Sequence, residues 1–267
     1  MKNTFVPRQE DFWSKNPCDI DGNYKEISFF RYSKEPYLPI HFRNFKVRIK
    51  DNAKILEVGC GQGTDALSIC SLLTKQNNYI GIDYSKASIQ AAEKNKQDCL
   101  KEELFKCKLD FQEGDALNLN AESDSIDFVY SMGVLHHTPN MKVAISEIHR
   151  VLKKGGQASI YLYRTRSLKV EIAKFLRKVQ QIADNLLNKK RYFYTLLKNR
   201  KSRIFGTMFL ECFGVPVLES VSKKEIKLLF SKFSELKFKS CGNNFYFMNK
   251  FNNGINNRFG VYYKIDL

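Results

Sequence analysis

A chain of 267 residues with 43% hydrophobic side chains can bury a full core, and no apolar run approaches the ~20 residues needed to cross a bilayer. Its net charge of +16 is lopsided: residues 1–165 hold 23 Lys/Arg against 21 Asp/Glu, whereas residues 166–267 hold 21 against 7. Seven scattered cysteines, an odd number with no Cys-x-x-Cys pair or Cys/His ligand spacing, exclude a disulfide framework and a zinc site and point to free thiols. With no apolar core in the segment from Met1 to Arg8, the expectation is a cytoplasmic protein without a signal peptide or bound metal.

Residues 1–50 form an aromatic-rich lead-in containing Phe12, Trp13, Tyr24, Phe29, Phe30, Tyr32, Tyr37, His41, Phe42 and Phe45. Such a segment reads as an N-terminal cap folded over one end of the core, with Arg31 and Tyr32 as polar groups inside it. Residues 51–165 then alternate strand and helix patterns, with strands over about 53–58, 79–83, 109–113, 126–131 and 157–163. This alternation implies a mostly parallel α/β sheet with helices on both faces and ligands at the carboxyl ends of the strands.

Chemical signals collect at those ends. The first strand runs into Glu57-Val-Gly-Cys-Gly-Gln-Gly63, where Gly59, Gly61 and Gly63 permit a tight turn and a close backbone approach to a ligand. The spacing is neither the Gly-x-Gly-x-x-Gly of a phosphate-binding turn nor a P-loop. The second strand ends in Asp83, 20 residues past the last glycine, a spacing suited to a carboxylate that accepts ribose hydroxyls. A third ends near Asp115-Ala116, and a fourth empties through Tyr130 and Ser131 into a loop carrying His136 and His137.

The Glu57–Gly63 segment resembles motif I of class I S-adenosylmethionine-dependent methyltransferases, and the His-His pair is similar to that of ubiquinone/menaquinone C-methyltransferase-like members, the methyltransferase type 11 group. The resemblance covers residues 53–163 and implies a Rossmann-like seven-stranded sheet, mostly parallel with an antiparallel last strand, and S-adenosyl-L-methionine as cofactor. It also implies roles: Glu57 supports the glycine loop and the methionine amino group, and Asp115 holds the adenine amino group. Tyr84, Ala116 and Ser131 complete the expected cofactor set beside these motifs. His136 or His137 is a candidate general base, with Tyr130 and His41 as further candidates. No Asn/Asp-Pro-Pro-Tyr/Phe follows the fourth strand, which argues against adenine amines as targets.

Residues 166–210 depart from the minimal pattern. Leu168, Ile172, Phe175, Leu176, Val179, Ile182, Ala183, Leu186 and Leu187 recur at helical spacing, and residues 166–205 hold 12 basic and 2 acidic side chains. This basic helical insert is open to a solvated face, an anionic carrier or substrate, RNA phosphates, or an anionic membrane surface. Residues 211–267 add a helix capped by Ser222 and Glu225 and two closing strands, Leu236–Ser240 and Phe259–Lys264, joined by the Asn-rich loop 243–257. The expected function is methyl transfer to an oxygen or nitrogen of a small-molecule acceptor. The alternatives are carbon methylation of a lipid or quinone-like precursor, or modification of RNA or protein through the basic insert.

Overall fold

In the computed structural model, residues 12–13, 23–197, 209–243 and 260–267 are described. Two helices precede the sheet. The first, α1 (Tyr24–Lys34), starts at a capping box in which Asn23 and Glu26 satisfy each other's backbone N–H groups. The second, α2 (Tyr37–Lys46), buries Tyr37, Leu38, His41, Phe42 and Phe45. Its rings pack on the sheet, Phe45 stacking 5.4 Å from Phe128 and Phe42 lying edge-on 5.9 Å from Tyr130.

From there strands and helices alternate: β1 (Lys54–Val58), α3 (Thr64–Cys70), β2 (Asn78–Asp83), α4 (Lys86–Lys101), β3 (Lys108–Glu113), β4 (Ile126–Met132), a 3₁₀ turn (Leu135–His137), α5 (Met141–Val151) and β5 (Leu152–Tyr163). The insert supplies α6 (Leu168–Leu187), α7 (Tyr192–Leu197) and a π-helical turn (Leu210–Gly214), and α8 (Lys223–Leu229), β6 (Lys237–Cys241) and β7 (Tyr262–Asp266) close the chain. The strands form one seven-stranded sheet in the order β3-β2-β1-β4-β5-β7-β6. Every pair from β3 to β5 is parallel, and β7 runs antiparallel to both neighbours, as the sequence predicts. The order reverses at β1, so the carboxyl ends of β1 and β4 open the crevice where such sheets take ligands.

One boundary differs from expectation. The fifth strand begins at Leu152, immediately after α5, because Gly155 (φ +74°) lies within a strand whose register to β4 shifts between Ile126 and Phe128. The Gly155-Gly156 pair thus lies in a register irregularity within the strand.

Apolar side chains fill both faces of the sheet, and a third small cluster of Phe12, Leu210 and Val215 with Trp13, Tyr194 and Phe209 adjoins the first through Leu218. The helix α6 meets the body with both apolar and polar side chains. It rests on the body through Val170 and Ala173 and through polar residues: Arg177 donates to the Val215 carbonyl at 2.8 Å and Gln180 to that of Phe213 at 3.0 Å. Phe175, Ile182 and Leu186 face outward. Lys198, Arg200, Lys201 and Arg203 of the basic run and residues 244–257 of the Asn-rich loop lie outside the described residues.

Candidate active site

The turn after β1 needs its glycines for different reasons. Gly59, Gly61 and Gly63 have φ of +80°, +54° and +81°. A Cβ at Gly59 would come within 2.1 Å of Val134, and one at Gly63 within 2.6 Å of the Phe111 ring, so packing alone forbids both. At Gly61 a Cβ would meet nothing within 4 Å, so its bare backbone is open to a ligand. The turn is hung on β2, where the Ile82 carbonyl accepts N–H bonds from Gly59 and Cys60 at 2.8 and 2.9 Å. Ser131 on β4 is buried and donates to the Val58 carbonyl at 2.9 Å, fixing the end of β1.

Asp83 terminates β2 against this turn. One carboxylate oxygen accepts the Gly61 N–H and the other that of Ser85, both at 2.9 Å. Burial raises its pKa while the two N–H donors oppose the rise. A carboxylate offers about four lone-pair sites, so capacity for two hydroxyl donors remains. Tyr84 beside it is exposed. Asp115 accepts the Leu117 N–H at 2.8 Å in the turn after β3, and Ala116 packs against the sheet.

Glu57 is buried beneath the turn, where the Tyr79 hydroxyl donates to it at 2.9 Å and burial pushes its pKa well above the usual carboxylate range. Nearby Asp65, absent from the expected set, accepts four hydrogen bonds from three residues. Arg31 donates to both its oxygens at 3.2 and 2.9 Å, Tyr130 donates at 2.9 Å and Tyr32 at 3.4 Å. Tyr130, expected as a catalytic candidate, is thus fully buried with its hydroxyl committed to Asp65. His41 likewise lies in the core, its Nδ1 2.7 Å from the Tyr161 hydroxyl.

The two adjacent histidines are held in opposite tautomers. Nδ1 of His136 accepts the Tyr163 N–H at 3.3 Å, so its proton sits on Nε2. Nδ1 of His137 donates to the Val217 carbonyl at 2.8 Å, so Nε2 is its basic nitrogen. Burial lowers the pKa of both rings, keeping them neutral near pH 7. Around them stand Tyr163, 3.9 Å from the His136 ring, and Trp13, 5.5 Å from the His137 ring.

Behind Tyr163 lies an ion pair absent from the expected set. Lys169 at the start of α6 meets Glu211 on the π-helical turn at 3.1 Å, and Glu211 also accepts the Tyr163 hydroxyl. Both charged side chains are nearly buried. A signal for Glu211 was available: it is one of only seven acids beyond residue 165, set in the apolar run Phe-Leu-Glu-Cys-Phe.

An open backbone at Gly61, a carboxylate with spare acceptor capacity at the next strand end and a buried acid under the turn fit a nucleoside-bearing cofactor with an amino-acid tail. Residues 49–213 match the family described as methyltransferase domain. A sterol 24-C-methyltransferase of Debaryomyces hansenii is 35% identical over 126 residues, which are 45% of this chain and 30% of that protein. That of Saccharomyces cerevisiae is 31% identical over 126 residues, again 45% and 30% of the two chains. The chain therefore spans about a third of the length of these curated relatives. Among solved structures, a chain of the complex containing the Haloferax volcanii Trm112 methyltransferase activator superposes with a TM-score of 0.58 at 15% identity, covering 98% of this chain and 99% of that one. The CurJ carbon methyltransferase gives 0.55 at 17% identity, covering 86% and 53%. At such identities these two likenesses speak to the fold. The chain belongs to the methyltransferase-domain family, and with its glycine turn and sheet order to the class I enzymes whose methyl donor is S-adenosyl-L-methionine.

Proposed function

We propose that this chain transfers a methyl group from S-adenosylmethionine to a carbon atom of an apolar, lipid-like acceptor. The observation that carries the reading is the apolar annex beside His137, where Trp13 joins Phe12, Leu210 and Val215 in a small cluster joined to the sheet core through Leu218. Motifs alone favoured an oxygen or nitrogen acceptor. The annex, together with the sterol C-methyltransferase relatives, supports carbon instead.

When bound, the cofactor supplies an electrophilic methyl group, and a carbon that takes it must afterwards give up a proton. The glycine turn, Asp83, Glu57 and Asp115 hold the donor. His137 is the residue equipped to accept the proton, since its Val217 bond leaves Nε2 basic and burial keeps the ring neutral. His136, with Nδ1 occupied by a backbone N–H, is not available as a base there and packs its ring 4.4 Å from that of His137. Glu211 favours a positive charge on His137. The aromatic walls exclude water that would compete for the methyl group.

The test is incubation with methyl-deuterated S-adenosylmethionine and a total lipid extract, followed by mass spectrometry of the products. A trideuteromethyl group on carbon, surviving conditions that cleave methyl ethers, is expected. Label recovered only as methoxy or N-methyl groups, or only in RNA, would exclude carbon methylation.

A further inference from the structure

The helix α6 buries Val170 and Ala173 and half-buries Ile172, Leu176, Val179 and Ala183, yet it leaves a stripe of large apolar side chains exposed. Leu168, Phe175, Ile182 and Leu186 recur at seven-, seven- and four-residue steps, which places them within about 40° of one another around the axis. Their exposures are 53, 64, 59 and 80%. On the opposite side, Arg177 and Gln180 bond carbonyls of the π-helical turn region, and Asp184 accepts the N–H groups of Arg191 and Tyr192 at 2.8 and 2.7 Å. With polar bonds anchoring the inner side, four large apolar side chains aligned in water on the outer side point to a partner for that stripe.

We infer that α6 docks the protein on an anionic lipid surface, its apolar stripe entering the headgroup boundary and its flanking lysines meeting lipid phosphates. Charge selects this occupant. Lys178 borders the stripe, Lys189 follows just past the helix end, both are exposed, and the chain beyond residue 165 carries 21 basic against 7 acidic side chains. A second copy of the chain seated on the same stripe would bring these lysines against their own counterparts, with Glu171 as the exposed acid on that side of the helix. Nucleic acid would use the cations but gain nothing from Leu186 or Ile182. The same helix carries Lys169 into the candidate active site, so docking would bring that site close to the bilayer. The inference rests on helix orientation and charge, and does not depend on which atom is methylated.

The experiment is vesicle flotation of the full chain, without cofactor or acceptor, on phosphatidylcholine alone and on phosphatidylcholine mixed with phosphatidylglycerol. Binding to the mixed vesicles is expected, weaker on the neutral ones and falling with added salt. Phe175→Ser with Ile182→Ser and Leu186→Ser, all on the outer side, should lower partition at least about tenfold while leaving cofactor binding and Tm unchanged. In a second measurement, Phe175→Trp should shift to shorter emission wavelength and be quenched by brominated acyl chains. Failure to bind either vesicle, or binding unaltered in the triple variant, would overturn the inference. So would a dimer in solution that the same three substitutions dissociate, or nucleic-acid binding lost with Lys178→Gln and Lys189→Gln but kept in the triple variant.

Discussion

Arg31 on α1 and Asp65 on α3 meet in a two-point ion pair, Nε to Oδ1 at 3.2 Å and Nη2 to Oδ2 at 2.9 Å, across 34 residues of sequence. Because Asp65 also accepts the Tyr130 hydroxyl, one carboxylate ties α1, the helix after the glycine turn and the fourth strand together. Arg31 pairs with Glu35 as well, so each of its three guanidinium nitrogens is engaged.

Replacing Arg31 by Ala leaves Asp65 nearly buried with only hydroxyl donors. We expect a loss of about 2–3 kcal/mol in urea unfolding, below the full cost of an orphaned buried charge because those hydroxyls remain. Arg31→Lys should recover only part, since an ammonium cannot span both oxygens. An unchanged unfolding midpoint for Arg31→Ala would remove Asp65 from its place as a hub.

The glycines of the turn separate stability from cofactor binding. Gly63→Ala combines a left-handed backbone with a 2.6 Å approach to Phe111, and should destabilise the fold by more than the ~1–2 kcal/mol of the backbone strain alone. Gly61→Ala meets no protein atom within 4 Å, so its cost to folding is limited to that strain, while its methyl group stands where the backbone is open. Calorimetry should find cofactor affinity lost in Gly61→Ala at nearly native stability. Native affinity in that variant would place the cofactor elsewhere.

At Asp83 the carboxylate both braces the turn and retains acceptor capacity. Asp83→Ala should weaken S-adenosylmethionine by about 1–3 kcal/mol through lost charge-assisted hydrogen bonds. Asp83→Asn preserves the shape but not the charge and should fall between. Equal affinities in all three proteins would count against a ribose contact.

Much of the fold was legible because it is written locally. The strands β1, β2 and β4 are short apolar-rich runs, β3 alternates apolar and polar residues, and the acids at or just past the ends of β1 to β3 sit at short distances from the glycine turn or from the strands they follow. The seven-strand sheet with one antiparallel member then follows from the family resemblance. What escaped depends on partners distant in sequence. Asp65 looks like a routine helix-start acid until Arg31 is brought to it, and Tyr130 looks available until Asp65 claims its hydroxyl. The orientation of α6 was equally hidden, since its period gives two faces but not which one the body takes; that was decided by carbonyls of the Leu210–Pro216 segment reaching Arg177. Opposite tautomers at His136 and His137 follow from two backbone groups, at Tyr163 and Val217, that no spacing rule connects to them.

His41 makes stability depend on pH in a definite direction. Burial, with Lys264 and Lys239 adding to it, lowers its pKa from 6.5 to about 3, against the opposing charge of Asp266. The unfolded chain therefore binds one more proton between those values, so the contribution is complete above pH 6.5 and is lost as pH falls toward 3. Relative to His41→Phe, the wild type should lose about 1.4 kcal/mol per pH unit in the lower part of that window. Urea titrations at several pH values give the difference directly, and the constant cost of stranding the Tyr161 hydroxyl in the variant does not affect the slope. Parallel stability curves for the two proteins would show that His41 is not held neutral.

The sharpest test of the proposed chemistry lies in the two histidines. His137 must be neutral to accept a proton, and its pKa is lowered from 6.5, so kcat/KM should fall on the acid side with a midpoint below 6.5. His137→Gln should reduce kcat by about 10²–10⁴ and abolish that acid limb while leaving cofactor affinity intact. Glu211 raises the His137 pKa through its charge, so Glu211→Gln should move the limb to still lower pH. That single change strands Lys169 in a nearly buried position, and pairing it with Lys169→Met keeps the site free of an orphaned charge. Removing both charges leaves His137 without its acidic neighbour but also without Lys169, which lowers its pKa, so the double variant should shift the limb less than Glu211→Gln alone. An acid limb that survives in His137→Gln would assign the proton to another group and leave His137 a structural role between Trp13 and Tyr163.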